Sequence, residues 1–223
     1  MKRTKLVNRQ LPRYTKGEEI MNMVTHIVGG SLGIFVLLLC LQRSIGNRSS
    51  LGIVSSIIYG VSMVTLYSIS SIYHGLRTNI SKKVMQVLDH CMIYLLIAGT
   101  YTPILLISFT PSAPLVGWGL LGVQWSLAAL AATFTAIDLK KYNAFSMICY
   151  ILMGWGIIFF LPLTISLLTP SGFYWLLAGG IVYTIGAVLY GVGVKLPWMH
   201  SVFHIFVVLG SLLQFLAIYF YVL

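Results

Sequence analysis

Residues 200–222 read HSVFHIFVVLGSLLQFLAIYFYV, and after two histidines the segment is almost entirely apolar. As an α-helix it is long enough to cross the roughly 30 Å hydrocarbon core of a bilayer. Six more apolar runs of similar length precede it, at 20–41, 51–76, 84–108, 113–136, 143–163 and 172–193. The sequence therefore predicts an all-α, polytopic membrane protein with seven transmembrane helices.

The overall composition supports this fold class. The chain is 58% hydrophobic and only 8% charged, whereas soluble chains carry about 25% charged residues. We expect two regions: a basic N-terminal segment at 1–19 and one transmembrane domain at 20–223. The first segment lacks the pattern of a cleaved signal peptide, so the first apolar run is predicted to be a retained helix.

The basic residues predict the orientation. When successive connectors are assigned to alternate sides of the membrane, twelve of the 14 Lys and Arg residues fall on the side of the N-terminus. The other two are Arg43 and Arg48. Cytoplasmic loops carry an excess of Lys and Arg, so we expect the N-terminus in the cytoplasm and the C-terminus outside, in a cell membrane. The net charge of +10 then reflects topology and does not indicate a nucleic-acid partner.

With this topology, the intramembrane ionisable residues gather at the cytoplasmic end. His200 and His204 are four residues apart and share one helix face, and Ser70 and His74 are related in the same way. His74 would supply a third imidazole, and three imidazoles suit a zinc ion or another transition metal. Asp89 would then lie where it can bond a water on the metal. Histidines that only pack and form hydrogen bonds are the alternative.

Four other residues are predicted to support the site without binding the metal. His90 follows Asp89 directly, so its side chain points about 100° away around the helix. His26 lies in the first turns of the first helix and either contacts the metal ligands from outside or bonds Glu19 or Asn22. Glu19 and Asn22 are therefore candidates for the same supporting role.

Four segments carry a family resemblance. They are EEIMNMVTHIVGG (18–30), SSIYHGL (70–76), LDHCMIYLLIAGTYTP (88–103) and HSVFHIFVVLGSLLQF (200–215). In order and spacing they resemble the bacterial hemolysin III family. That family is related to the progestin and adipoQ receptors, and to a wider group of seven-helix membrane hydrolases that includes alkaline ceramidases.

The resemblance implies a seven-helix bundle with a cytoplasmic N-terminus. It also implies zinc held by His74, His200 and His204, with Asp89 and Ser70 placed around the water on the metal. Helical spacing and the predicted topology indicate the same set of residues.

The leading functional hypothesis is a zinc-dependent hydrolase, an amidase that acts on a membrane lipid from the cytoplasmic leaflet. Asp89 would be the general base, and Ser70 would orient the water or stabilise the oxyanion. Two alternatives remain open: a lipid sensor or membrane-homeostasis protein without turnover, and a pore-forming cytolysin. The sequence leaves the lipid, the identity of the metal and the oligomeric state open.

Overall fold

The computed structural model describes residues 4–192 and 196–223. Lys2, Arg3 and Lys195, which entered the charge count, lie outside these ranges. Within them the chain is helical and has no strand, so the predicted all-α class is confirmed. The helices are α1 (Lys16–Gly46), α2 (Ser50–Gly75), α3 (Ile80–Pro103), α4 (Pro114–Ile137), α5 (Asn143–Trp155), α6 (Leu161–Val192) and α7 (Met199–Tyr221). A π-helical segment, Ile104–Phe109, extends α3.

Six helical stretches of the described chain are long and apolar enough to cross a membrane. They are Lys16–Gly46, Ser50–Gly75, Ile80–Ser112, Pro114–Ile137, Asn143–Gly191 and Met199–Tyr221. The protein is therefore a multi-pass membrane protein. Five of the stretches match predicted apolar runs one to one, and the 49-residue stretch Asn143–Gly191 covers the remaining two.

That long stretch is not one straight helix. At 1.5 Å per residue a straight helix of this length would measure about 74 Å, more than twice the hydrocarbon thickness. A 3-10 segment, Gly156–Phe160, joins α5 to α6, and within α6 the backbone of Thr169 has a φ of 61°. Pro170 follows, and a proline both lacks an N–H donor and disfavours helical geometry at the preceding residue. The helical path is thus interrupted at Thr169.

The helices pack against one another in a defined order. α1 packs against α2 and α7, α2 against α3, α3 against α4, and α6 against α7. The contact between α1 and α2 is close because a Cβ on Gly29 would lie 2.5 Å from the Tyr67 ring. A Cβ on Gly33 would lie 3.1 Å from the Val64 backbone nitrogen. These two glycines thus let α1 pack closely against α2.

The N-terminal segment lies across the end of the bundle where α1 starts and α4 ends. The Thr4 amide donates to Asp138 Oδ2 at 2.8 Å, and this bond holds the pKa of the Asp138 carboxyl below its usual range. Arg9 is buried and donates to the Ile137 carbonyl at 3.0 Å. Thr15 then caps α1 in a reciprocal pair with Glu18. The segment thereby connects the end of α4 to the start of α1.

Candidate metal centre

Three histidines meet where the end of α2 faces the start of α7. His74 is in the last turn of α2, and His200 and His204 are in the first two turns of α7. Each offers one ring nitrogen, and these three atoms all lie within 4.8 Å of one another. Among the described residues, this group of histidine, cysteine and acidic side chains could hold a metal ion.

The distances between nitrogens fit a tetrahedral ion. His200 Nε2 lies 3.4 Å from His74 Nε2 and 3.0 Å from His204 Nε2. Zinc–nitrogen bonds are about 2.0–2.1 Å long, so two nitrogens on one tetrahedral zinc ion lie about 3.3 Å apart. Two of the three nitrogen pairs are therefore already close to the separation that a shared ion requires.

The outer nitrogen of His74 is held by a carboxylate. Its Nδ1 lies 2.7 Å from Glu19 Oε2, in the first turns of α1. Lys82 Nζ binds the other carboxylate oxygen of Glu19 at 2.7 Å and donates to the Leu76 carbonyl at 3.0 Å. Lys82 is itself buried. A carboxylate–histidine pair of this kind fixes the ring orientation and raises the basicity of the metal-facing nitrogen.

His204 is oriented by the backbone of α1, the helix that also carries Glu19. Its Nδ1 lies 3.2 Å from the Asn22 carbonyl oxygen. The side chain of Asn22 also contacts α7, because Ser201 Oγ donates to Asn22 Oδ1 at 2.6 Å. Asn22 therefore ties the start of α7 to α1 and sets the direction in which His204 points.

These partners assign the ring protons. In neutral rings, His74 and His204 carry their protons on Nδ1, where Glu19 and the Asn22 carbonyl accept them, so both Nε2 atoms present lone pairs. His200 Nε2 lies between those lone pairs, and one ring proton can satisfy only one of the two contacts. A cation bound among the three nitrogens would satisfy all of them, which is why the arrangement fits a metal.

An internal cavity of about 220 Å³ opens beside the cluster. Ser70, Asp89, His200 and His204 all line it, so the structure brings the predicted serine and aspartate to the cavity that two of the three histidines face. The rest of the lining is mostly apolar and extends towards Leu176 and Gln214, distant in the bundle from the histidines.

His26 also lines this cavity, and its ring stacks on His204 with 3.7 Å between centroids and 9° between planes. Neither ring nitrogen has a hydrogen-bond partner within the described part of the chain. The predicted bond from His26 to Glu19 or Asn22 is therefore not formed. The ring instead contacts a candidate metal ligand through its face.

His90 lines the cavity but lies outside the three-histidine group. Its Nδ1 is 3.0 Å from the Gln86 carbonyl oxygen, one turn back on α3, and 4.0 Å from Asp89 Oδ2. Its Nδ1 is thus engaged by the backbone of its own helix.

Sequence reasoning missed three residues at this centre. Tyr14 stacks on His200 at 4.9 Å and covers the cluster from the side of the N-terminal segment. Burial raises the pKa of its hydroxyl, so the ring remains a neutral phenol. In the sequence, Lys82 is only one of the basic residues that predict the membrane orientation. Glu18 accepts from the Trp198 amide at 2.7 Å and joins the first turn of α1 to the start of α7. The sequence did contain one signal for Glu18, since Thr15 and Glu18 have the spacing of a helix N-terminal capping box.

Fold and site together define a class: a multi-pass helical membrane protein with a buried three-histidine cluster that could hold a metal ion. A family model described as Haemolysin-III related matches residues 14–215, and the chain belongs to that family.

Individual relatives agree with this assignment. Hemolysin-3 of Bacillus cereus is 41% identical over 206 residues, which cover 92% of each chain. The Hemolysin-3 homolog of Bacillus subtilis (strain 168) is 36% identical over 208 residues, 93% of this chain and 96% of that protein. Human monocyte to macrophage differentiation factor is 26% identical over 174 residues, 74% of this chain and 68% of that protein. The family predicted from the four sequence segments is confirmed.

Proposed function

We propose that this protein is a zinc-dependent hydrolase that cleaves an acyl amide bond in a membrane lipid. One observation carries the proposal: two of the three clustered histidines, His200 and His204, line a largely apolar cavity that Asp89 and Ser70 also line. A cavity of this kind suits an acyl chain, and its polar end suits the bond to be cleaved.

The chemistry divides among a few groups. A zinc ion held by the three histidines would supply Lewis-acid polarisation and make a water acidic near neutral pH. Asp89 lines the cavity with its side chain 14% exposed. Its carboxylate would accept a proton from the attacking water and then give that proton to the leaving amine nitrogen as the C–N bond breaks. Ser70 Oγ is buried without a hydrogen-bond partner in the described structure, and it would donate to the carbonyl oxygen as negative charge develops there.

The direct test is hydrolysis by purified protein. Zinc-loaded protein in detergent, mixed with long-chain N-acyl amides including ceramide, should release free fatty acid that mass spectrometry detects. Asp89→Asn should lower the rate about 100-fold or more, because a positioned general base contributes 10²–10⁴-fold. Asp138→Asn, which changes a carboxylate outside the cavity, is the matched control and should leave the rate unchanged. An unchanged rate in Asp89→Asn would exclude the proposed role of that carboxylate.

The same purified protein can be used to distinguish the hydrolase from two other functions. The relative from Bacillus cereus carries the name Hemolysin-3, which favours a lytic function as the second candidate. Ion leakage from liposomes that continues after zinc removal would support a pore and contradict the hydrolase. Binding of an acyl amide without release of fatty acid would instead indicate a lipid sensor.

We further propose that the broken stretch Asn143–Gly191 crosses the membrane twice, giving seven crossings with the N-terminus in the cytoplasm. The interruption at Thr169 falls between the predicted apolar runs 143–163 and 172–193. The metal centre would then lie in the cytoplasmic leaflet. A reporter that fluoresces only in the cytoplasm should be dark when fused after Leu223 and bright when fused before Met1. Fluorescence at both ends would indicate an even number of crossings.

A further inference from the structure

His26 is the most completely unpaired polar side chain in the cavity. It is 4% exposed, and both ring nitrogens are without a hydrogen-bond partner within residues 4–192 and 196–223. The ring position is nevertheless well defined, since its face stacks on His204 and Tyr67 meets it edge to face at 5.0 Å. A fixed ring with both polar edges free is a hydrogen-bonding group held ready for a ligand.

The energetic argument points to a binding role. Buried polar groups in folded proteins are nearly always hydrogen-bonded, because an unpaired one loses its bonds to water without replacement. Aromatic packing against His204 and Tyr67 would be served equally well by phenylalanine, which has no polar atoms to leave unpaired. A histidine at this position therefore indicates a partner that enters the cavity.

The surroundings restrict the chemistry of that partner. Asp89 is the one Asp, Glu, Lys or Arg side chain among the described residues that line the cavity, so the lining offers no Lys or Arg to pair with an anionic head group. A neutral imidazole has one N–H donor and one acceptor nitrogen. Ser70 Oγ adds an unpaired hydroxyl to the same lining. A neutral head group with both a donor and an acceptor, joined to an apolar chain, matches this set.

We propose that His26 binds the amide head group of a neutral N-acyl lipid directly and holds it beside the three-histidine cluster. The inference rests on the proposed function for its choice of an acyl amide, and it adds the residue that recognises this group. His26 thereby contacts the lipid and does not act through the metal ligand on which it stacks.

The test measures binding separately from turnover. Zinc-loaded protein in detergent is incubated with tritium-labelled palmitoylethanolamide, and the intact amide bound and the palmitate released are counted independently. His26→Phe keeps the ring stack but removes both nitrogens. It should weaken binding about tenfold, the effect of one lost hydrogen bond to a ligand. Its zinc content should match the wild type, and its melting temperature should be equal or higher, because two unpaired polar atoms have been removed.

Two further variants complete the experiment. His90→Phe makes the same change at a histidine that lines the same cavity but bonds the Gln86 carbonyl, and it should bind like the wild type. His26→Gln restores a donor and an acceptor and should recover part of the affinity. This variant also tests the proposal if His26→Phe fails to fold.

Other outcomes overturn the assignment. Unchanged binding by His26→Phe, or no binding by the wild type, would contradict it. Loss of zinc from His26→Phe would place His26 in the metal centre. Binding by the wild type without palmitate release would contradict the hydrolase alone, and the role of His26 would then be decided by its own variants.

Discussion

Replacing His200 and His204 together with alanine is expected to abolish metal binding. The wild type, purified under zinc-replete conditions and dialysed, should retain about one zinc per chain, since the three histidines would supply one site. The double variant should retain almost none, because only His74 would remain of three nitrogens that lie within 4.8 Å. Elemental analysis against protein concentration measures the ratio. The effect is large because a single imidazole cannot hold the ion against dialysis.

His90→Ala provides the matched control for this experiment. His90 lines the same cavity, yet it lies outside the cluster and its Nδ1 faces the Gln86 carbonyl. It should keep the full zinc content. A wild type that takes up no metal would show that the cluster is a packing and hydrogen-bonding arrangement. Zinc retained by the double variant would place the site elsewhere.

Glu19→Gln is expected to weaken zinc binding about 10–100-fold, the range found when the partner of a metal-binding histidine is changed. Glutamine can still accept the Nδ1 proton of His74, so the ring orientation is preserved. The negative charge is lost, however, and the metal-facing nitrogen becomes less basic. Lys82 Nζ, which binds Glu19 Oε1 at 2.7 Å, also loses its carboxylate partner. Competition with a chelator of known zinc affinity measures the change.

The control for Glu19→Gln is Asp138→Asn. Asp138 is a buried carboxylate near the same end of the bundle, and its partners are the Thr4 and Lys141 amides and not a histidine. Zinc affinity should be unchanged in that variant. Equal affinities for Glu19→Gln and the wild type would mean that the Glu19–His74 contact fixes helix packing and has no influence on the metal.

Much of the fold was predictable because its signals are local. The length of an apolar run decides whether a helix can span a bilayer, and each run was recognised within a few residues. The gap between the fifth and sixth predicted runs, 143–163 and 172–193, contains Thr169 with its positive φ. The extra turn of α1 before residue 20 was missed, because its charged residues Lys16, Glu18 and Glu19 do not resemble a membrane-spanning helix.

The site was predictable where helical spacing applies and not beyond it. His200 and His204 share a face because they are four residues apart, and their convergence with His74 followed from the inferred topology. The partners of the rings were not predictable. The bond between Glu19 and His74 joins residues 55 positions apart, and its geometry depends on how closely α1 approaches α2. That approach is set by contacts such as Gly29 against Tyr67.

The sequence alone therefore determined the class of protein, its helices and the three histidines, because hydrophobic length and helical periodicity act within single segments. Only the tertiary structure decided which nitrogen of each ring faces the cluster and that Tyr14 covers His200. It also decided that His26 has no hydrogen-bond partner among the described residues. These features depend on side-chain contacts between helices distant in the chain, such as the 3.4 Å approach of His74 to His200 across 126 positions. No periodicity within one helix encodes such a distance.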